Sequence, residues 1–435
     1  MRLVAAPTRC LRITSIYSTS RKFKRAYSQS RIAQPLPAAV MSSSSSNYAN
    51  AAEDVPQAEA AWEWFNKMGA PKLWVAPMVD QSELPFRMLC RNHGSTAAYT
   101  PMLHARLFME KECYRNEHFT TTAMDRPLLA QFCANDPDIL LAAAKYVEAH
   151  VDGVDINLGC PQRIARKGKY GAFLMDHQEL VESLVRKLAT ELDVPVTVKI
   201  RRYDDIERTI AYAAMLERAG ASLLAIHGRT REQKKSVGPS ACWETVKAVK
   251  KALRIPVLAN GNIQTLHDVE PCLEYTGCDG VLSAESLLAD PALFAPRRLL
   301  PGGEYTVNEG PKLLLEYIEL CAKHPVHYRM IKGHAFKLLG PWLTEFIDLR
   351  EQLNTGMKLG TDEENRMGIK ELTEEVIKRI EATGREYPIP QISERKLAKM
   401  EAEAAKAAAI AEQEKEEKAV EELEGGPVLA TAGAS

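Results

Sequence analysis

The sequence predicts a (β/α)8 TIM barrel followed by a small all-helical domain, with disordered N-terminal and charged C-terminal extensions. Three observations lead there. From about residue 72 to 301, eight apolar, β-prone runs alternate with amphipathic stretches of helical period, as consecutive βα units require. No G-x-G-x-x-G follows the first run, which turns the reading away from a doubly wound sheet, the other fold that such alternation allows. Beyond Pro301 the β-prone runs cease and helical periodicity alone remains.

The eight runs are Leu73–Val79, Ala97–Met102, Leu128–Cys133, Val151–Leu158, Val194–Ile200, Leu223–His227, Val257–Asn260 and Gly280–Ala284. Between them lie helical stretches at Glu83–Asn92, Asp138–His150, Gln178–Leu192, Ile206–Ala219, Trp243–Ala252 and Leu266–Tyr275. Pro85 falls in a first helical turn, where its missing N–H does no harm. Pro271 falls inside its segment, so that helix is expected to be short, kinked or restarted. After Pro301, Pro311–Ala322, Tyr328–Leu339, Pro341–Leu353 and Asn365–Ala382 read as helices, with Gly340-Pro341 as a stop and restart. The expected divisions are a disordered basic leader at 1–60, the barrel at 70–305, the helical domain at 308–390 and an Ala/Lys/Glu-rich tail at 391–435.

Composition sets limits on function. With 46% hydrophobic and 26% charged residues among 435, the chain has the balance of a globular enzyme. Its net charge of −1 gives no whole-chain sign of a nucleic-acid partner, although an acidic tail can mask a basic face. No apolar run is long enough for a membrane span. The nine cysteines are scattered without a C-x-x-C pair, which argues against a structural metal site and a disulfide framework. The leader is rich in Arg and Ser and lacks Asp and Glu before Glu53. That composition fits either a mitochondrial transit peptide or a disordered basic arm. Met41 offers a second start, so a cytoplasmic enzyme, with the nucleus as a further location, is expected beside a mitochondrial form from Met1.

Polar residues gather where the strands end, which is where barrel enzymes carry their chemistry. They are Gln131, Asn157 with Cys160, Lys199 with Arg201, His227, Asn260-Gly261-Asn262 and Ala284-Glu285. Each alone has a bland reading: a surface lysine, a satisfied core histidine, an Asn-Gly turn, a buried structural thiol. Together, at successive strand ends, they describe a mouth. The late Gly-containing loops suit a phosphate group. The amides, His, Lys and Arg suit a polar ring, a combination that FMN fits.

These residues lie in motifs that resemble the tRNA-dihydrouridine synthases, in the eukaryotic branch that acts on uridines 16 and 17 of the D-loop. The motifs are A-P-M-V-D at Ala76–Asp80, Q-F-C at Gln131–Cys133, D-I-N-L-G-C-P-Q at Asp155–Gln162 and K-G-x-Y-G-A-F-L at Lys167–Leu174. V-K-I-R at Val198–Arg201, H-G-R-T-R at His227–Arg231 and A-N-G-N-I at Ala259–Ile263 complete them, over about 70 to 350. The resemblance implies that uridine is reduced to 5,6-dihydrouridine at the expense of FMN and NADPH, or NADH. It implies Cys160 as the acid, with Pro77, Met78, Val79, Gln131, Lys199, His227, Asn260, Gly261, Asn262, Ala284 and Glu285 holding the flavin. Asn157 and Arg201 would face the target uracil. One departure is Ser286, where the family commonly has Gly, which puts the contacts of that loop in question.

The implied partner is tRNA, with no metal, no membrane and a monomeric enzyme. Basic residues at Arg163, Arg166, Lys167 and Lys169, and the run Lys323, His324, His327, Arg329, Lys332 and His334, are expected to meet RNA phosphates. Two rival readings remain: an FMN barrel for a small pyrimidine, like dihydroorotate dehydrogenase, and a non-catalytic RNA-binding barrel. Neither accounts for both the helical domain and an intact set of mouth residues.

Overall fold

A computed structural model describes residues 55–233, 240–356 and 360–384. Nine strands form one parallel sheet: β1 (Leu73–Val75), β2 (Ala97–Tyr99), β3 (Leu103–His104), β4 (Leu128–Cys133), β5 (Gly153–Leu158), β6 (Val196–Arg201), β7 (Leu223–His227), β8 (Val257–Asn260) and β9 (Gly280–Ser283). Their order is β2-β1-β9-β8-β7-β6-β5-β4-β3, and a further pairing of β2 with β4 closes the barrel. β2 and β3 are two halves of one barrel position, both lying along β4. The run expected as a single strand, Ala97–Met102, breaks at Thr100-Pro101, since Pro brings no N–H to a ladder.

Because the strand period is two, alternate residues point inward. Trp74, Ala97, Tyr99, Leu129, Leu223, Ala225, Leu258 and Leu282 fill the lower barrel as one buried cluster. The opposite faces of the strands meet the outer helices in the main core. The helix Val55–Lys67, unforeseen in sequence and beginning inside the stretch assigned to a leader, packs on the interior cluster through Phe65, Trp62 and Trp64. Trp64 Nε1 donates to Asp152 O at 2.9 Å and Trp62 Nε1 to Arg254 O at 2.7 Å. Gly153 makes room for this helix, for a Cβ there would stand 3.2 Å from the Trp64 ring.

Past the barrel come Gly310–Lys323, Tyr328–Leu338, Gly340–Glu345, Ile347–Glu351 and Asp362–Thr383, the last opened by a Thr361/Glu364 capping box and closed by Gly384. This helical region docks on the barrel helix Leu84–Asn92. Tyr317 and His334 both reach Glu83, and His334 stacks on Phe86 at 4.5 Å. His334 is fully buried, so it cannot face RNA as expected from its place in the basic run. Residues 385–390 and the tail 391–435 lie outside the described residues, as does the leader before Val55. No helix among the described residues is long and apolar enough to cross a membrane.

Candidate active site

Above the apolar layer, the inward positions of β4 to β8 change from hydrocarbon to polar. Register sets Gln131 beside Asp155, Asn157 beside Lys199, Arg201 beside His227 and His227 beside Asn260. The sequence-predicted groups therefore come together around one mouth.

Cys160 follows β5 on a loop held from several sides. The Gly159 and Cys160 N–H groups donate to Asn157 Oδ1 at 3.2 and 2.9 Å. Ala172 N–H donates to Cys160 O at 3.1 Å. Gly171 sits at φ +66° in close contact: an added Cβ would stand 2.8 Å from Cys160 O. Cys160 is half-buried in a small cluster with Cys133, Ala165, Tyr170 and Met102. Burial pushes its thiol above the ordinary range, against the partial pull of Arg201 and Lys199. The group is thus a protonated thiol at neutral pH rather than a nucleophilic thiolate.

Lys199 Nζ donates to Asn260 Oδ1 at 3.0 Å, and Asn260 Nδ2 donates to Leu282 O at 3.0 Å. Burial, with Arg201 nearby, brings Lys199 down to about 8. Arg201 ties loops together, donating to Gly159 O at 2.8 Å, Thr230 O at 2.8 Å and Gln233 O at 3.2 Å. Burial and Arg229 bring it to about 10. His227 is held well below its ordinary value by burial and by Arg201, Lys199 and Arg229, so it is neutral. Its Nε2 meets Arg229 Nη1 at 3.2 Å and must accept there.

The loop after β8 is Gly261 at φ +110° followed by Asn262 at φ +65°. A Cβ on Gly261 would stand 2.6 Å from Ala241 Cβ and 3.1 Å from the His227 ring. The Asn262 side chain is committed to the Ala241 backbone at 3.0 Å on both its atoms and to Arg229 at 3.2 Å. Ala284 precedes the short helix Glu285–Ala289, and Glu285 is exposed on the rim. Ser286 lies inside that helix with φ below zero, so the Ser that departs from the family pattern fits without strain. Pro77 and Met78 are half-buried on the β1 loop, while Val79 stands 55% exposed. Ser82 Oγ accepts from Met78 N at 2.9 Å and pins that loop.

Three participants were not singled out in the sequence. Asp155, fully buried, accepts from Gln131 Nε2 at 2.8 Å and from Thr197 Oγ1 at 2.6 Å. Asn157 Nδ2 donates to Gln131 Oε1 at 2.7 Å. Thr100 Oγ1 accepts from Gln131 N at 3.0 Å. The signal for Asp155 and Thr197 was available, since each stands two residues before a singled-out residue on the same strand face. The basic loop residues Arg163, Arg166, Lys167 and Lys169 are all exposed. Among the described residues no group of His, Cys, Asp and Glu is arranged to hold a metal.

The profile of the dihydrouridine synthase (Dus) family matches residues 74–381. The tRNA-dihydrouridine(16/17) synthase, NAD(P)(+), of Schizosaccharomyces pombe is 46% identical over 306 residues, which cover 68% of this chain and 75% of the relative. That of Saccharomyces cerevisiae is 44% identical over 324 residues, covering 73% and 76%. The tRNA-dihydrouridine(16/17) synthase-like protein of Mus musculus is 45% identical over 301 residues, covering 69% and 62%. With a family match over residues 74–381 and relatives this similar over more than two thirds of its length, the chain belongs to the dihydrouridine synthase family.

Proposed function

We propose that this chain reduces the C5=C6 bond of uridine to 5,6-dihydrouridine in the D-loop of tRNA, at positions 16 and 17, as a monomer using FMN and NADPH or NADH. The carrying observation is the Cys160 loop: a thiol kept protonated by burial, on a backbone fixed by Asn157, at the mouth of a barrel lined by Lys199 and Arg201. The relatives' names supply the substrate class and the nicotinamide.

The residues present suit a flavin. Gln131, Asn157, Lys199 and Arg229 each carry more N–H groups than the one they give to Asp155, Gln131, Asn260 and Asn262, a donor-rich set that suits an acceptor-rich ring and a phosphate. The left-handed backbone at Gly261 and Asn262 is the kind of turn in which main-chain N–H groups face an anion. Pro77, Met78, Val79, Gln131, Lys199, His227, Asn260, Gly261, Asn262, Ala284 and Glu285 would hold it, Asn262 and Glu285 through backbone. When bound and reduced, the flavin supplies hydride to C6. Cys160 supplies the proton to C5, being neutral and half-exposed. Asn157, Lys199 and Arg201 orient the uracil and stabilise negative charge on its carbonyl oxygens. Neutral His227 adds no charge of its own. A base in folded RNA leaves its stack to reach this mouth. Location in the cytoplasm, with the nucleus and a mitochondrial form from Met1 as further sites, belongs to the same proposal.

The test uses Cys160→Ala. Nicotinamide-driven flavin reduction is expected to persist while dihydrouridine formation on tRNA nearly stops. Equal turnover of free uridine monophosphate and tRNA by the wild type would favour a small-pyrimidine enzyme instead.

A further inference from the structure

The N–H groups of Gly159 and Cys160 can only donate, so the side-chain atom of Asn157 that faces them must be its oxygen. The Asn157 NH2 is then turned to Gln131, which must meet it with its own oxygen, at 2.7 Å. The Gln131 NH2 is in turn left facing Asp155, whose carboxylate accepts at 2.8 Å. The other Asp155 oxygen accepts from Thr197 Oγ1. Four side chains on β4, β5 and β6 thus form one directed relay, ending at the backbone of Cys160.

We propose that Asp155 is a positioning residue for the reaction: by accepting from Gln131 it fixes the rotation of the Gln131 and Asn157 amides, and through them the backbone of the Cys160 loop. An amide can turn by half a revolution and exchange its donor and acceptor ends. A carboxylate has no such choice, and a buried donor left without an acceptor is destabilising. Asp155 therefore holds from the far end the arrangement that the Gly159 and Cys160 N–H groups require at the near end. Burial lifts the Asp155 carboxyl to about 7, yet the relay tolerates its proton. The proton sits on the oxygen facing Thr197, whose hydroxyl turns to accept, and the oxygen facing Gln131 stays an acceptor. Asp155 acts at a distance, through two amides, and touches neither uracil nor the reacting atoms.

This inference rests on the proposed function for its kinetic readout but not for its chemical one. In the ligand-free protein, alkylation of Cys160 by iodoacetamide, followed by peptide mass, reports how firmly the loop is held. Asp155→Ala and Asn157→Ala are each expected to speed it about three- to ten-fold, and the double variant no further than the faster single. On tRNA, Asp155→Ala is expected to lower turnover about ten-fold or more, with nicotinamide-driven flavin reduction retained, and again with no added loss in the double. Asp155→Asn is expected to restore both readouts, because Asn can turn its oxygen to Gln131 and its NH2 to Thr197. Thr197→Val removes that acceptor and is expected to undo the rescue in Asp155→Asn, costing that variant several-fold more than it costs the protein with Asp155 in place. If Asp155→Ala does not fold, the Asn and Val pair carries the test alone. Effects of Asp155→Ala and Asn157→Ala that multiply, unchanged alkylation, or a Thr197→Val that leaves the Asp155→Asn rescue intact would each overturn the proposal. A wild type inactive on tRNA would sink the proposed function instead, with the alkylation result still deciding the relay.

Discussion

Lys199 carries a charge that its surroundings make expensive. Its ordinary value of 10.5 falls to about 8 under burial and the repulsion of Arg201. If its ammonium stabilises the reduced uracil, kcat/KM on tRNA falls as pH rises through about 8. The limb belongs to Lys199 rather than Cys160, whose thiol is pushed upward. The sign for stability is opposite. Between about 8 and 10.5 the unfolded chain binds more protons than the folded one, so folding stability grows with pH across that window. A pH–rate profile of wild type and Lys199→Met checks this. The variant is expected to be slow throughout and to lack the limb near 8, and a limb retained in Lys199→Met would assign it elsewhere. Cys160→Ala is expected to separate flavin reduction from product formation. The lysine, the cysteine and their strand positions were all legible in sequence, because strand period and strand-end position need only local information. Asp155 and Thr197 were not assigned, because their value lies in partners across two strand pairings.

Among elements, the barrel strands were legible nearly to the residue where an apolar run ends in Gly or Pro, as at Leu158-Gly159. They were less so at Ala97–Met102, where one run conceals two short strands about Pro101. The helix Val55–Lys67 escaped because its length of 13 residues adjoins a low-complexity leader, and its aromatic residues gain meaning only from the barrel floor. Phe65 is 1% exposed among Trp74, Leu129 and Leu223. Phe65→Ala is expected to cost about 3 to 5 kcal/mol, read as a lower urea midpoint with little change in the slope. The Cys160 loop is held as closely by Gly171. Gly171→Ala places a methyl 2.8 Å from Cys160 O at a φ of +66°. Turnover on tRNA is expected to drop about ten-fold or more through displacement of the thiol, with a smaller loss of stability. Wild-type kinetics in Gly171→Ala would mean that the loop yields without moving Cys160.

At the scale of the whole molecule, the helical region is fastened to the barrel by buried contacts. Phe86, Tyr317, His334 and Glu83 lie between them, with Glu316 taking Asn92 at 3.1 Å and His93 at 2.7 Å. Cutting the chain near 308 would strip this cover from helix Leu84–Asn92, so truncation confounds folding with binding. Sequence alone could not separate the buried His334 from its exposed or half-buried basic neighbours, because the run alternates charge with the apolar period of a helix. Surface charge reversal is the cleaner probe. Lys323 and Lys337 are exposed on the helical region, and Arg166 and Lys167 are exposed on the mouth loop. The two pairs test separately whether the helical region and the mouth loop meet the RNA. Lys323→Glu with Lys337→Glu, and Arg166→Glu with Lys167→Glu, are each expected to raise KM for tRNA and leave kcat within about two-fold. Each lost phosphate contact should also flatten the dependence of log affinity on log salt by about one unit. If both sets act on the same bound RNA through different phosphates, combining them lowers affinity by the product of the two effects. Unchanged salt dependence in either pair would remove that surface from the path of the tRNA.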